Sequence, residues 1–175
     1  MKYYLVGSMY SGKTTVGLRL ARQLGLKFVD LDQAFEQRYR ITVPDFFARY
    51  GEEAFRTLER QLLQATAAID NVVVSTGGGT ACQPGNMEFM NGNGTTIFLR
   101  IPLDSLLQRA ATSHKERPLI TNMEPSERRT HIERQLEKRL PFYLQAQITV
   151  DADADDPQQV VTLILDSITP SPQTA

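Results

Sequence analysis

Short apolar segments alternate with longer amphipathic segments along most of the chain. Five short runs are rich in β-branched and aromatic residues, which predicts strands. They lie at residues 3–6, 27–31, 72–75, 95–101 and 146–150. In the first gap Val16, Leu20 and Leu24 recur at four-residue spacing, which predicts a helix. Continuous apolar strands that alternate with helices are typical of a parallel sheet covered on both faces, so we expect one doubly wound α/β domain over residues 1–168.

Three segments do not fit this simple alternation. Residues 33–69 have a helical pattern but are far longer than one crossover helix needs, so we expect an insertion that covers a second substrate. Residues 110–123 are basic and lack apolar periodicity, which predicts a mobile lid. The helix after this lid does fit the alternation: it is predicted to begin near Pro125 and to end at residues 138–141. The tail at residues 169–175 is rich in Pro, Ser and Thr and is expected to be disordered.

Composition excludes several classes of partner. The chain has 19 Lys and Arg against 20 Asp and Glu, so it has no overall attraction to nucleic acid or to an acidic membrane. Cys82 is the single cysteine, which excludes an internal disulfide and suits a reducing compartment; we interpret it as a buried or bystander residue and not as a nucleophile. No apolar run approaches the roughly 20 residues that span a bilayer, and no targeting segment is recognisable at the start. We therefore expect a cytoplasmic protein.

Residues 7–14 read Gly-Ser-Met-Tyr-Ser-Gly-Lys-Thr, between the first predicted strand and the first predicted helix. In this spacing, backbone N–H groups of the loop surround the phosphates of a nucleotide, Lys13 adds a positive charge, and the Thr14 hydroxyl can bind Mg²⁺. The alternative is an ordinary turn with Lys13 in solvent. The position between strand and helix favours a nucleotide phosphate site.

The next two strands also end in informative residues. Asp30 and Asp32 follow the second strand, and three glycines at residues 77–79 follow the third. Because ligands gather at the carboxyl ends of parallel strands, we expect both near the phosphate loop. In an extended strand the two carboxylates would share one face, one serving a metal and one an acceptor; alternatively, Asp32 caps a helix that begins near Gln33. The glycines indicate close approach to bare backbone, or else a flexible turn before Pro84.

Three arginines allow two interpretations each. Arg56 can pair with acidic neighbours on its own helix, Arg139 can complement a helix C-terminus, and Arg117 can be a solvated loop residue. Considered with Asp32, Arg56 and Arg139 suit a site that grips a carboxylate while an aspartate holds a hydroxyl. A basic residue such as Arg117 on a lid suits charge delivery to a migrating phosphoryl group.

The order of these motifs resembles the shikimate kinases, a family of small P-loop enzymes, nearly from end to end. The matching motifs are residues 7–14, Asp30-Leu-Asp32, Phe55-Arg56-x-x-Glu59, residues 77–79, Arg117-Pro118-Leu119 and Lys138-Arg139-x-Pro-x-Tyr143. The resemblance implies transfer of the γ-phosphate of ATP to the 3-hydroxyl of shikimate, a step of aromatic amino-acid biosynthesis. It also implies a three-layer α/β/α P-loop fold with five parallel strands in the order 2-3-1-4-5.

The resemblance further implies roles at the acceptor. Asp32 would bind the accepting diol and take its proton, while Lys13 and Arg117 would stabilise the phosphoryl group; these are the expected catalytic residues. The residues implied for shikimate binding are Asp32, Arg56, Gly78, Gly79 and Arg139. Glu59 would aim the Arg56 side chain.

On the nucleotide side, the resemblance implies Mg²⁺ as the cofactor, with Thr14 as a ligand and Asp30 orienting its water shell. The residues implied for ATP binding are Tyr10, Ser11, Gly12, Lys13, Thr14, Thr15, Arg109 and Arg117. Arg109 is the candidate for stacking on adenine. Met9 and Tyr10 are bulkier than is usual in the family's loop, and the acidic run at residues 151–156 stands where a basic residue is often found.

Two rival functions belong beside this one. Another small-molecule kinase of the same fold, such as a gluconate kinase, would use a different acceptor. A regulatory module that uses ATP as a switch would have no acceptor at all.

We expect ATP and shikimate to be the partners of this protein, and we expect the protein to be a monomer.

Overall fold

A parallel β-sheet lies at the centre of the computed structural model, which describes residues 1–113 and 123–169. Within those residues the sheet has five strands in the order β2-β3-β1-β4-β5, as the family resemblance implies. The strands are β1 Lys2–Val6, β2 Lys27–Asp30, β3 Val72–Ser75, β4 Thr95–Arg100 and β5 Ile148–Asp151. With apolar clusters and helices on both faces of this sheet, the predicted three-layer α/β/α P-loop fold is confirmed.

Seven α-helices flank this sheet in the described part of the chain. They are α1 Lys13–Leu24, α2 Leu31–Tyr39, α3 Val43–Ala65, α4 Asn86–Asn93, α5 Leu103–Thr112, α6 Pro125–Tyr143 and α7 Pro157–Ile168. Alternate residues of β1 enter separate apolar clusters: Leu5 packs with Leu20 on one face, and Tyr4 packs with Leu63 on the other. The continuous apolar strands are explained by this burial on both faces.

Helix α1 packs so closely on the sheet that Gly17 has no room for a side chain. A Cβ atom there would lie 2.8 Å from Cε2 of Phe28 and 3.0 Å from Cδ1 of Leu5. We expect Gly17→Ala to lower the free energy of unfolding by about 1–3 kcal/mol through overpacking, measured by urea denaturation. In the matched control, Gly92→Ala in α4, a Cβ atom meets nothing within 4 Å. Equal stability of the two variants would contradict the prediction.

The connection from β2 to α2 differs from the prediction. Strand β2 ends at Asp30 and α2 begins at Leu31, so Asp32 lies in the first helical turn. The expected pair of aspartates on one face of an extended strand is therefore wrong. The N-cap of α2 is Asp30 and not Asp32: its Oδ1 accepts hydrogen bonds from the backbone N–H groups of Asp32 (3.0 Å) and Gln33 (3.2 Å). By satisfying two unpaired amides, Asp30 starts the helix two residues earlier than predicted.

The predicted insertion at residues 33–69 contains most of α2, all of α3 and a short 3₁₀ turn at Thr66–Ala68. Helix α3 bends at Gly51, where φ is 82°. Phe35, Phe46 and Phe55 form a small aromatic core of their own between these helices. The insertion thus has its own packing beside the main sheet.

Other boundaries also differ from the prediction. Helix α5 continues through Thr112, so Arg109 and the first residues of the predicted lid are helical. Helix α6 continues past Pro141 to Tyr143. The rest of the predicted lid, at 114–122, and the tail at 170–175 lie outside the described residues. Of the helices described, none has both the length and the apolar composition needed to cross a membrane.

Candidate active site

The loop between β1 and α1 contains three residues with positive φ, namely Gly7, Tyr10 and Gly12. Gly12 has φ 85° at the N-cap of α1, a conformation that glycine adopts without steric cost. Tyr10 has φ 64°, which is uncommon for a residue with a side chain and often occurs at functional sites. The Tyr10 side chain packs against the apolar cluster around Leu20, so its bulk anchors the loop in this conformation.

The Lys13 ammonium lies over this loop. Its Nζ donates to the carbonyl oxygens of Gly7 (2.8 Å) and Ser8 (2.6 Å) and to Oγ of Ser11 (3.3 Å). Lys13 is only 8 % exposed. These contacts keep a positive charge next to the backbone N–H groups at the start of α1, where an anion is favoured.

Thr14 and Asp30 meet between the start of α1 and the end of β2. The Thr14 hydroxyl donates to Oδ2 of Asp30 at 2.6 Å, while Oδ1 of Asp30 caps α2. Hard oxygen atoms of this kind suit Mg²⁺, which commonly takes few protein ligands and completes its coordination with phosphate and water oxygens. No group of three or more His, Cys, Asp or Glu side chains with metal-site geometry occurs in the ranges described. The donor set therefore fits a magnesium ion carried by a nucleotide.

Three side chains from three helices converge on the glycine segment after β3. A Cβ atom at Gly77 would lie 3.2 Å from Oδ1 of Asp32, one at Gly78 would lie 3.2 Å from Nη1 of Arg139, and one at Gly79 would collide with the guanidinium of Arg56. At Gly77 the added Cβ atom would lie still closer to Oε1 of Glu59 (2.9 Å) and Oγ1 of Thr80 (3.0 Å), so glycines are needed because side chains lie directly on this backbone. A Cβ atom at Gly78 would also lie 3.2 Å from the backbone nitrogen of Met9, so this cluster adjoins the phosphate loop.

The Arg56 guanidinium is surrounded by partners. Its Nη1 donates to Oε2 of Glu59 at 2.8 Å, and its Nε and Nη2 donate to Oε1 of Glu52 at 3.2 and 3.1 Å. Its Cζ lies 5.2 Å from the ring centre of Phe55 and 5.7 Å from that of Phe47. Burial lowers the pKa of Arg56, but the charges of Glu59 and Glu52 and their hydrogen bonds outweigh it and raise the pKa. The side chain is a fixed cation.

Glu59 and Thr80 form a buried support behind this arginine. Glu59 is 2 % exposed, and its Oε1 accepts a hydrogen bond from Oγ1 of Thr80 at 2.6 Å. The Thr80 carbonyl in turn accepts from Nδ2 of Asn86 at 2.9 Å. The sequence analysis predicts no role for Thr80. The one indication in the sequence is that a hydroxyl residue follows directly after the three glycines.

Tyr143, at the end of α6, positions the middle glycine. Its hydroxyl donates to the carbonyl oxygen of Gly78 at 2.5 Å, and its ring stacks on Phe98 with centres 5.2 Å apart. Burial raises the pKa of Tyr143 to about 12, although the charge of Arg139 acts in the opposite direction. The hydroxyl therefore keeps its proton near neutral pH. Tyr143 is the last residue of the matching motif at residues 138–143, but the sequence analysis predicts no role for it.

Arg109 joins the phosphate loop to the segment after β5. Its guanidinium donates to the carbonyl oxygens of Tyr10 (3.4 Å), Ala152 (3.2 Å) and Ala154 (3.2 Å). This placement brings Arg109 beside the acidic run at residues 151–156. The remaining predicted loop residues Ser11 and Thr15 are buried and exposed respectively, and Arg117 lies outside the described residues.

The matching family model and the similar sequences agree on one family. The family model described as shikimate kinase matches residues 9–169. Shikimate kinase of Parabacteroides distasonis is 46% identical over 152 residues, which cover 87% of this chain and 88% of that protein. The crystal structure of shikimate kinase from Bacteroides thetaiotaomicron superposes with a TM-score of 0.92 at 41% identity, covering 95% of this chain and 97% of that one. Shikimate kinase from Acinetobacter baumannii, solved in complex with shikimate, gives a TM-score of 0.87 at 34% identity, with 95% and 92% covered.

Proposed function

Because the chain belongs to the shikimate kinase family of ATP-dependent kinases, we propose a division of its site into a nucleotide half and an acceptor half. The family's reaction transfers a phosphoryl group from ATP to a hydroxyl of shikimate, and we assign the 3-hydroxyl as the acceptor. The observation that carries this assignment is the convergence of Asp32, Arg56 and Arg139 on the glycine segment beside Met9 of the phosphate loop. We propose that this enzyme is a monomer, and that it works in the cytoplasm, a reducing compartment that its single cysteine suits.

In the nucleotide half, the backbone N–H groups at the start of α1 and the Lys13 ammonium bind the β- and γ-phosphates. The further ATP contacts proposed are Tyr10, Ser11, Gly12, Thr14, Thr15, Arg109 and Arg117. Thr14 and Asp30 are proposed to hold Mg²⁺ and its water shell, an assignment supported by their 2.6 Å hydrogen bond. When bound, the ion would neutralise charge on the phosphate oxygens.

In the acceptor half, Arg56 and Arg139 bind the carboxylate of shikimate, and the N–H groups of Gly78 and Gly79 add hydrogen bonds. A planar guanidinium matches a carboxylate with two parallel hydrogen bonds. Asp32 accepts a hydrogen bond from the reacting hydroxyl and takes its proton as the new P–O bond forms. The three contacts hold the ring at two ends, which fixes the distance from the hydroxyl to the phosphorus.

Catalysis by this site is mainly positioning and neutralisation of charge. Phosphoryl transfer proceeds through a loose transition state, which needs the attacking and leaving oxygens in line and positive charge near the migrating group. Lys13 and Arg117 are proposed to supply that charge.

The experiment that tests the function is ADP release on addition of shikimate, with quinate and gluconate as control acceptors. Gluconate-dependent release would favour the rival small-molecule kinase, and no release with any acceptor would favour an ATP-dependent switch.

The close contact between Gly79 and Arg56 gives a direct test of the acceptor half. In Gly79→Ala the added methyl group must displace the guanidinium, so we expect the KM for shikimate to rise about tenfold, with the KM for ATP little changed. Steady-state kinetics with each substrate varied in turn measures this. Gly92→Ala again serves as the matched control, because its Cβ atom meets nothing within 4 Å. An unchanged KM for shikimate in Gly79→Ala would remove Gly79 and its arginine from the acceptor half.

A further inference from the structure

Every side of the Arg56 guanidinium has a neighbour in the described structure. Its Nη1 donates to the buried Glu59, and both Nη atoms lie close to Gly79. The remaining edge, formed by Nε and Nη2, carries two parallel donors, and both point at a single oxygen of Glu52. This edge is one of the two that can hold a carboxylate with two hydrogen bonds.

The two glutamates that share Arg56 differ sharply in burial. The Glu59 side chain is 3 % exposed and is held at its other oxygen by Thr80, so it is fixed. The Glu52 side chain is 65 % exposed and is four residues from Arg56 on α3, directly after the bend at Gly51. The Arg56 side chain is 15 % exposed, but the Glu52 carboxylate lies largely in water, so this pair is weaker than the buried pair with Glu59. Glu52 is therefore the partner that another carboxylate can replace.

Glu52 also has space into which it can move. It borders an open cleft of about 420 Å³ between α3 and the segment at Gln83 and Pro84. A rotation of the Glu52 side chain into this cleft exposes Nε and Nη2 of Arg56 without any movement of α3. Arg56 itself stays in place because Glu59 and the two phenylalanine rings hold it.

We propose that Glu52 is an internal competitor for the carboxylate of the acceptor, occupying the Nε–Nη2 edge of Arg56 until the substrate displaces it. This inference rests on the proposed role of Arg56 in binding shikimate. It makes Glu52 a residue that sets acceptor affinity through Arg56 and screens the free cation from other anions. Only an acceptor with a carboxylate gains from its removal.

The experiment compares Glu52→Gln and Glu52→Ala with the wild-type chain, using calorimetric titration of shikimate. We expect the Kd for shikimate to fall about two- to fivefold, the range that an exposed ion pair accounts for. The methyl ester of shikimate, which lacks the negative charge, should show no such gain. Glu53→Gln is the matched control, because it removes the same charge from the next residue, which makes no ion pair with Arg56 in the described structure.

Each outcome of this experiment decides between explanations. A weaker affinity in the Glu52 variants would show that Glu52 positions Arg56, and would overturn the proposal. An equal gain in Glu53→Gln, or an equal gain with the methyl ester, would reduce the effect to general electrostatics and also overturn it. Arg56→Ala separates this failure from that of the proposed function: unchanged shikimate affinity there would remove the carboxylate site itself, whereas a large loss with no gain in the Glu52 variants would remove only the competition.

Discussion

Replacing Asp32 by Asn is expected to lower the turnover number for shikimate phosphorylation by about 10²- to 10⁴-fold, the usual contribution of a positioned acid or base. The asparagine side chain has the same shape and can still contact the glycine segment, but it cannot take a proton. Asp32 lies against Gly77, whereas the phosphates are proposed to bind at Lys13 and Thr14, so we expect the affinity for ATP to change less than twofold.

Single-turnover kinetics with saturating shikimate measures the loss, and calorimetry measures ATP binding. Asp166→Asn, which makes the same change at an exposed position of α7, should leave both unaffected. Turnover within a few-fold of the wild type would remove Asp32 from the catalytic residues. Loss of ATP binding in Asp32→Asn would instead indicate that Asp32 supports the phosphate loop.

The phosphate loop could be predicted from sequence because its function depends on local spacing. Gly12 and Lys13 lie where a strand passes into a helix, and the backbone provides most of the site. The strand order could be predicted only through the resemblance to a known family. The two aspartates after β2 show the limit of reading a local pattern: Asp30 caps α2, so Asp32 enters the site from a helical turn and not from a strand.

The supports behind the site could not be predicted because they depend on contacts between distant segments. Thr80 reaches Glu59 across 21 residues, and Tyr143 reaches Gly78 across 65. Neither contact has a periodic signal in the sequence. In contrast, the glycines themselves could be predicted as a place of close approach, because their cost to the backbone must be offset by something that packs on them.

Removal of either arginine from the acceptor half should weaken shikimate binding strongly, with different effects on stability. For Arg56→Ala and Arg139→Ala we expect the Kd for shikimate to rise about 10- to 100-fold, since each loses a charge-assisted hydrogen bond worth about 1.5–3 kcal/mol. The two variants should differ on unfolding. Arg56→Ala leaves the buried Glu59 without its cation and should lower the free energy of unfolding by about 3–5 kcal/mol.

Arg139 makes no ion pair in the described structure, and its hydrogen-bond partner Tyr143 is neutral and keeps its bond to Gly78, so Arg139→Ala should bind shikimate weakly at close to wild-type stability. Calorimetric titration and urea unfolding of the same samples separate the two effects, with the exposed Arg134→Ala on α6 as the matched control. Unaltered shikimate affinity in both variants would exclude a carboxylate site between them. A loss of affinity in Arg139→Ala without a loss of stability would instead assign that arginine to the ligand, because a structural role would move both quantities together.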